Sequence, residues 1–142
     1  MNDTPYNIPK PENEQIKSYA PGSPEKISLK AKITELKSTH IEIPIIIGGE
    51  EIKTGNTGDC VIPHNHQHVL GTFHKAGEKE IQLAIDSSLE TWKWWSKTSL
   101  EKRAKIFLKM ADLLADSWRD TINAATILNM SKNAFQAEID AA

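Results

Sequence analysis

Several groups that mark other protein classes are scarce in this 142-residue sequence. Cysteine occurs once, as Cys60, so no intrachain disulfide can form and a reducing compartment suits the chain. Purely apolar runs stay as short as Ile45-Ile46-Ile47, far below the ~20 residues of a membrane-spanning helix. Cationic excess is missing too: 17 Lys and Arg stand against 19 Asp and Glu, for a net charge of −2. That gives no support to a general role on nucleic acid or anionic membranes. The N-terminal stretch "MNDTPYNIPKPENEQ" has no apolar h-region, so it does not read as a secretory signal. It lacks arginine and carries acids, so it makes a poor transit peptide, and a cytosolic protein is expected. No internal repeat and no G-x-G-x-x-G are present.

What is there fits one soluble domain of ordinary size, 39% hydrophobic and 25% charged. Residues 1–22 hold Pro5, Pro9, Pro11, Pro21 and Gly22 with few large apolar residues. They read as an extended arm that is ordered only where it lies on something else. Ser23 as N-cap and Pro24 at the first helical position predict a helix over Pro24 to Lys37. Its apolar stripe is Ile27, Ala31 and Leu36, or Ile33 with Leu36. "IEIPIIIGGEEIKTG" predicts a hairpin: Ile45 to Ile47 run out, Gly48-Gly49 turn, Glu50 to Lys53 return, and Pro44 sits at a strand start or edge. "DCVIP" and "HVLGTFHKA" predict two more strands around a turn at Pro63 to Gln67. The alternation of Val69, Gly71 and Phe73 against Leu70, Thr72 and His74 leaves their facing open.

From Gly77 the apolar period becomes helical. Ile81, Ile85, Leu89, Trp92 and Trp95 share one face. Thr98-x-x-Glu101 reads as a capping box opening a second helix with Ala104, Phe107, Leu108, Ala111, Leu114 and Trp118. A third carries Trp118, Ile122, Ala125 and Leu128 and ends at Asn129-Met130. Ser131 is expected to cap a fourth, "SKNAFQAEIDAA", whose stripe Ala134, Phe135, Ile139 and Ala142 is still periodic at the last residue. The expectation is a piece of something longer, whose last helical faces lack partners and expose apolar surface.

Two constellations invite a functional reading. In "VIPHNHQHVLGTFHKA", His64, His66 and His68 alternate as zinc ligands on a strand can. Pro63 and Asn65 place the first two in a turn, and His74 falls on another face from a register with Val69 inward. Structural or surface histidines are expected; a small His-rich metal-binding module is the alternative. Trp92, Trp94 and Trp95 could form a stacking platform. Trp92 and Trp95 share the apolar face and are expected in the core, with Trp94 exposed or at an interface. A non-catalytic helical interaction domain is the corresponding alternative.

"YAPGSPEKISLKAKITELK", "THIEIPIIIGGEEIKTGNTG", "CVIPHNHQHVLGTFHKA", "EKRAKIFLKMADLL" and "NMSKNAFQAEIDAA" follow one another from Tyr19 to Ala142. In that order they resemble the N-terminal part of the 1-pyrroline-5-carboxylate (L-glutamate γ-semialdehyde) dehydrogenases, a branch of the aldehyde dehydrogenase superfamily. "PHNHQHVL" and "QAEIDAA" point to that branch; the hairpin and "EKRAKIFLKMADLL" are typical of the superfamily. The resemblance implies an α/β, aldehyde dehydrogenase-like fold. Residues 1–22 would be the arm, and residues 23–142 an incomplete N-terminal part of the NAD-binding domain: a helix, two β-hairpins and about four helices.

It also implies a chemistry: NAD-dependent oxidation of L-glutamate γ-semialdehyde to L-glutamate in proline degradation. A cysteine thiolate attacks the aldehyde, hydride passes to the nicotinamide, and a glutamate-activated water hydrolyses the thioester. The family's nucleophile, general base, oxyanion asparagine and Gly-rich dinucleotide segment lie downstream of the matching part. No catalytic, cofactor-binding or metal residue is therefore expected here, and the piece alone is expected to be inactive and not to bind NAD. The complete enzyme would act on a small molecule, with no nucleic-acid or membrane partner. It would form a homo-oligomer, a dimer or higher, in the cytoplasm or, in a eukaryote, the mitochondrial matrix. Cys60, on a predicted strand beside Asp59, is outside the nucleophile's context and reads as structural. Glu138, between Ala137 and Ile139, is either on the solvent side or buried with a partner. The resemblance implies that its helix packs close to the aldehyde-binding region, so Glu138 is the one residue assigned to the substrate's vicinity, against a plain packing role.

Overall fold

The computed structural model describes residue 10 and residues 12–141. Pro5, Pro9 and Pro11 of the arm and Ala142 of the last stripe lie outside them. The elements run α1 (Pro24–Ser38), β1 (Ile41–Ile43), β2 (Ile45–Ile47), β3 (Glu50–Ile52), β4 (Thr57–Ile62), β5 (Asn65–His74), α2 (Glu78–Trp95), α3 (Leu100–Ala115), α4 (Arg119–Met130) and α5 (Ala134–Ala141). Ser23 caps α1 as predicted, its side chain accepting from the Lys26 amide at 3.4 Å. The inward face of α1 is Leu29, Ile33 and Leu36; Ile27 and Ala31 face outward. Leu29 joins Tyr19 and Ala124 in the core, with Ile127 and Ala134 packed against them.

The two hairpins are present. β2 and β3 pair around Gly48 and Gly49, whose φ of 62° and 90° are the left-handed values such a turn requires. β4 and β5 pair with register shifts after Cys60 and after Val61. The connecting turn is shorter than expected, because β5 already starts at Asn65. Leu70 and His74 face inward while Val69 and Phe73 are exposed.

β1 is an element the sequence pattern did not reveal. It runs parallel to β5, with Ile41 opposite Gly71 and Ile43 opposite Phe73, giving the order β1-β5-β4. Three residues are too few to show a period, and the pairing is with a distant strand. Gly71 makes it possible: a Cβ there would stand 2.2 Å from the Ile41 carbonyl oxygen. Pro44, with no N–H to donate, separates β1 from β2.

The helical half differs from the expected stripes. Neither α2 nor α3 buries a residue among those described, and Trp92 is 66% exposed. Trp92 is therefore not core in this chain. Trp95 is half-buried and meets the exposed Trp94 edge-on, ring centroids 5.8 Å apart. Ile81, Leu89, Phe107 and Met110 of α2 and α3 are open to solvent, and the exposed apolar surface expected on the last two helices is seen at Met130, Phe135 and Ile139. The caps also shift by a residue or two. Ser99, not Thr98, caps α3. Asn133, not Ser131, caps α5: its side chain accepts from the Gln136 amide at 2.9 Å and Gln136 answers at 3.0 Å. Ser131 instead ends α4 in a left-handed conformation, φ 54°. The inner face of α4 is Arg119, Asn123, Ala124 and Leu128, with Trp118 and Ala125 exposed. On α5 it is Ala134, Ala137 and Glu138, with Phe135 and Ile139 exposed.

Candidate functional site

Two polar residues on α4, one turn apart, and one on α5 meet the arm in a buried cluster. Glu138 is 0% exposed and Arg119 3%. The guanidinium grips both carboxylate oxygens, Nη2 donating to Oε1 and Nε to Oε2, the latter at 3.3 Å. Asn123 Nδ2 donates to Oε2 at 2.8 Å, the Tyr19 hydroxyl donates to Oε2 at 2.7 Å, and the Lys17 amide donates to Oε1 at 2.7 Å. Arg119 Nη2 also donates to the Gln15 carbonyl at 2.7 Å, and the Glu14 carboxylate lies 3.7 Å from Nη1. Asn123 Nδ2 donates to the Tyr19 oxygen as well, at 2.9 Å, while Asn123 Oδ1 has no partner among the described residues.

The charges follow from this geometry. Burial alone would push the Glu138 carboxyl up. The Arg119 guanidinium and the three other donors outweigh it and hold the group down at about 2. Burial, reinforced by the carboxylate it donates to, pushes the Tyr19 phenol up to about 12. The hydrogen bond to Glu138 raises the Arg119 guanidinium further above its usual range. Glu138 is thus an anion at neutral pH, and its lone pairs are taken up by protein donors. It can hold elements together; it has no open side on which to transfer a proton or take a ligand directly.

Glu138 was the one site residue the sequence singled out, and the structure places it buried with partners rather than on the solvent side. Arg119, Asn123 and Tyr19 were missed. The signal was present but weak: Arg119 and Asn123 stand one helical turn apart, beside the apolar positions Ala124 and Leu128. A pattern of apolar residues alone turns them outward.

The histidines separate onto different partners. His64 Nδ1 pairs with Ser131 Oγ at 2.7 Å, in the α4–α5 junction. His68 Nε2 donates to the Lys37 carbonyl at 3.0 Å, satisfying an orphan at the end of α1. Buried His74 donates from Nε2 to Glu42 at 2.9 Å and accepts at Nδ1 from the Gly55 amide at 3.2 Å. His66 is exposed. Among the described residues no group of three or more His, Cys, Asp or Glu is placed to hold a metal ion.

Cys60 lines an apolar groove of about 380 Å³ with Leu36, Ile41, Leu70, Leu128 and Met130. That lining offers apolar contact but no acid or base beside the thiol. A dinucleotide's pyrophosphate needs a glycine-rich turn opening onto free helix amides. Gly48-Gly49 turns into a strand, and the first turns of α1, α3 and α5 are closed by Ser23, Ser99 and Asn133. α2 opens on the single Gly77, whose amide donates to Glu80, and α4 begins at Trp118 with no side-chain cap. Among the described residues no glycine-rich turn of that kind opens a helix. No helix among them is long and apolar enough to cross a membrane.

Comparison with known proteins gives a consistent result. The model of the aldehyde dehydrogenase family matches residues 51–142. The chain is similar to the mitochondrial delta-1-pyrroline-5-carboxylate dehydrogenase of Dictyostelium discoideum, 40% identical over 136 residues, which is 96% of this chain and 24% of that protein. Its similarity to the Agaricus bisporus delta-1-pyrroline-5-carboxylate dehydrogenase is 41% over 138 residues, again 96% of this chain and 25% of that one. The solved structure of the Mycobacterium tuberculosis delta-pyrroline-5-carboxylate dehydrogenase bound with NAD superposes with a TM-score of 0.91 at 39% identity. It covers 94% of this chain and 25% of that one. The chain thus spans about a quarter of the length of the relatives it matches.

Proposed function

The chain belongs to the aldehyde dehydrogenase family, and on that premise we propose that it supplies the N-terminal quarter of a dehydrogenase that oxidises L-glutamate γ-semialdehyde, the open form of 1-pyrroline-5-carboxylate, to L-glutamate with NAD as hydride acceptor. The observation that carries this reading is the likeness to the M. tuberculosis enzyme over nearly the whole chain, in fold and in sequence together. Its place in metabolism is then the second step of proline breakdown.

Residues 23–142 act as the start of the cofactor-binding domain, and residues 1–22 as the arm before it. No catalytic residue is assigned here. Nucleophile, general base and dinucleotide cradle come from the rest of the fold, so the 142-residue chain by itself turns over nothing and holds no NAD. Glu138 belongs to the substrate's vicinity as a positioning group. Its saturated carboxylate supports that indirect role rather than a contact with the aldehyde. The complete enzyme is a homo-oligomer working in the cytosol or the mitochondrial matrix, and the single free Cys60 suits either compartment.

The test is direct. The complete protein, given NAD and L-glutamate γ-semialdehyde, is expected to form NADH and glutamate in equal amounts. Faster oxidation of an aldehyde without the α-amino acid group, or no NADH at all, would overturn the reading.

A further inference from the structure

Tyr19 has a left-handed backbone, φ 52°, although it carries a bulky side chain. Such a conformation is costly for a non-glycine residue and persists where the surroundings over-determine it. Here they do. The ring is buried against Leu29 and Ala124, and the hydroxyl is fixed between Glu138 and Asn123. The same short segment brings the Lys17 amide, the Gln15 carbonyl and the Glu14 carboxylate to the one Arg119–Glu138 pair.

The receiving helix needs such an anchor. α5 has eight residues, too few to be stable alone in water. Its inner face offers Ala134, Ala137 and Glu138, so its apolar contact is small. Glu138 is the strong attachment, and two of its five donors come from the segment before α1.

We propose that residues 14–19 form a strap, and that Tyr19 and Arg119 are positioning residues which lock strap and α5 into one unit through Glu138. The segment before α1 is then a working part of the fold. Loosening it loosens α5, although α5 lies more than a hundred residues later in the chain.

The experiment uses the complete protein as wild type, Tyr19→Phe and Arg119→Lys. Amide hydrogen exchange is followed over residues 14–19, over α5 and over α1. Tyr19→Phe keeps the ring in the core and removes the hydroxyl. It is expected to speed exchange about tenfold in strap and α5 together, a loss of the size of one hydrogen bond to a charged group. α1 should stay unchanged. Arg119→Lys keeps the charge but loses the fork, and should do the same. Faster exchange in the strap with α5 unmoved, in both variants, would sink the proposal.

A kinetic arm rests on the function proposed above. If α5 borders the aldehyde, Tyr19→Phe raises the aldehyde KM severalfold and leaves the NAD KM alone. A wild-type protein that oxidises no aldehyde counts against the function, while the exchange result still decides the strap. An aldehyde KM unchanged despite faster α5 exchange removes Glu138 from the substrate's vicinity.

Discussion

Tyr19 and Glu138, 119 residues apart, meet with the phenol donating to the carboxylate at 2.7 Å and both side chains buried. One lies just before the first helix and the other on the last. The contact closes the chain on itself, and the Arg119 guanidinium supplies the charge that lets a carboxylate sit at zero exposure.

Arg119→Met should destabilise the protein by about 3–5 kcal/mol, because it leaves Glu138 buried without its counter-charge. The double variant Arg119→Met/Glu138→Leu should cost clearly less than the single one. Urea unfolding with a shared m-value measures both.

Acid should release the cluster. The carboxyl of Glu138 is depressed in the fold, from an ordinary 4.5 to about 2. Its contribution is therefore complete above about pH 4.5 and is lost as pH falls toward 2, on the order of 3 kcal/mol in all. Tyr19 has the opposite sign. Its phenol is raised to about 12, so its share is complete below about pH 10 and lost between there and 12. Thermal unfolding of wild type and Glu138→Gln across pH should converge at the acid end; parallel curves would refute the assignment.

Gly71→Ala should break the parallel pairing of β1 with β5, since the new Cβ would stand 2.2 Å from the Ile41 carbonyl oxygen. A loss of about 2 kcal/mol or more is expected, as for other overpacked sites. Gly49→Ala meets nothing within 4 Å and bears only the strain of its φ of 90°, about 1 kcal/mol. Melting temperatures of the two variants should rank in that order.

His74→Phe should cost about 1 kcal/mol by removing the hydrogen bonds through which one ring joins Glu42 to the Gly55 amide, while Glu42 keeps Lys53. His66→Phe, at an exposed position, should change the melting temperature little.

The apolar faces of α2 and α3 should make the 142-residue chain bind hydrophobic dyes. Leu89→Lys with Phe107→Glu should lower that binding without lowering the melting temperature, since both side chains are exposed. A large drop in stability would show these faces to be covered.

Local chemistry made much of the chain readable. Ser23-Pro24 opens α1, Gly48-Gly49 turns a hairpin, and the helical periods of the last four helices set their number and order. In each case the residues that decide the structure are neighbours in sequence. The ordered run of segments from Tyr19 to Ala142 carried the family as well.

The tertiary structure decided what depends on distant partners. Ile41 to Ile43 became a strand because Gly71 lets the backbones approach. Trp92, apolar and on an apolar face, stays exposed because no described element covers it. Arg119 and Asn123, polar residues that a pattern turns outward, face inward because Glu138 arrives from another helix to neutralise and bond them. A charge is buried where a counter-charge and hydrogen-bond donors meet it, and that pairing is a property of the fold.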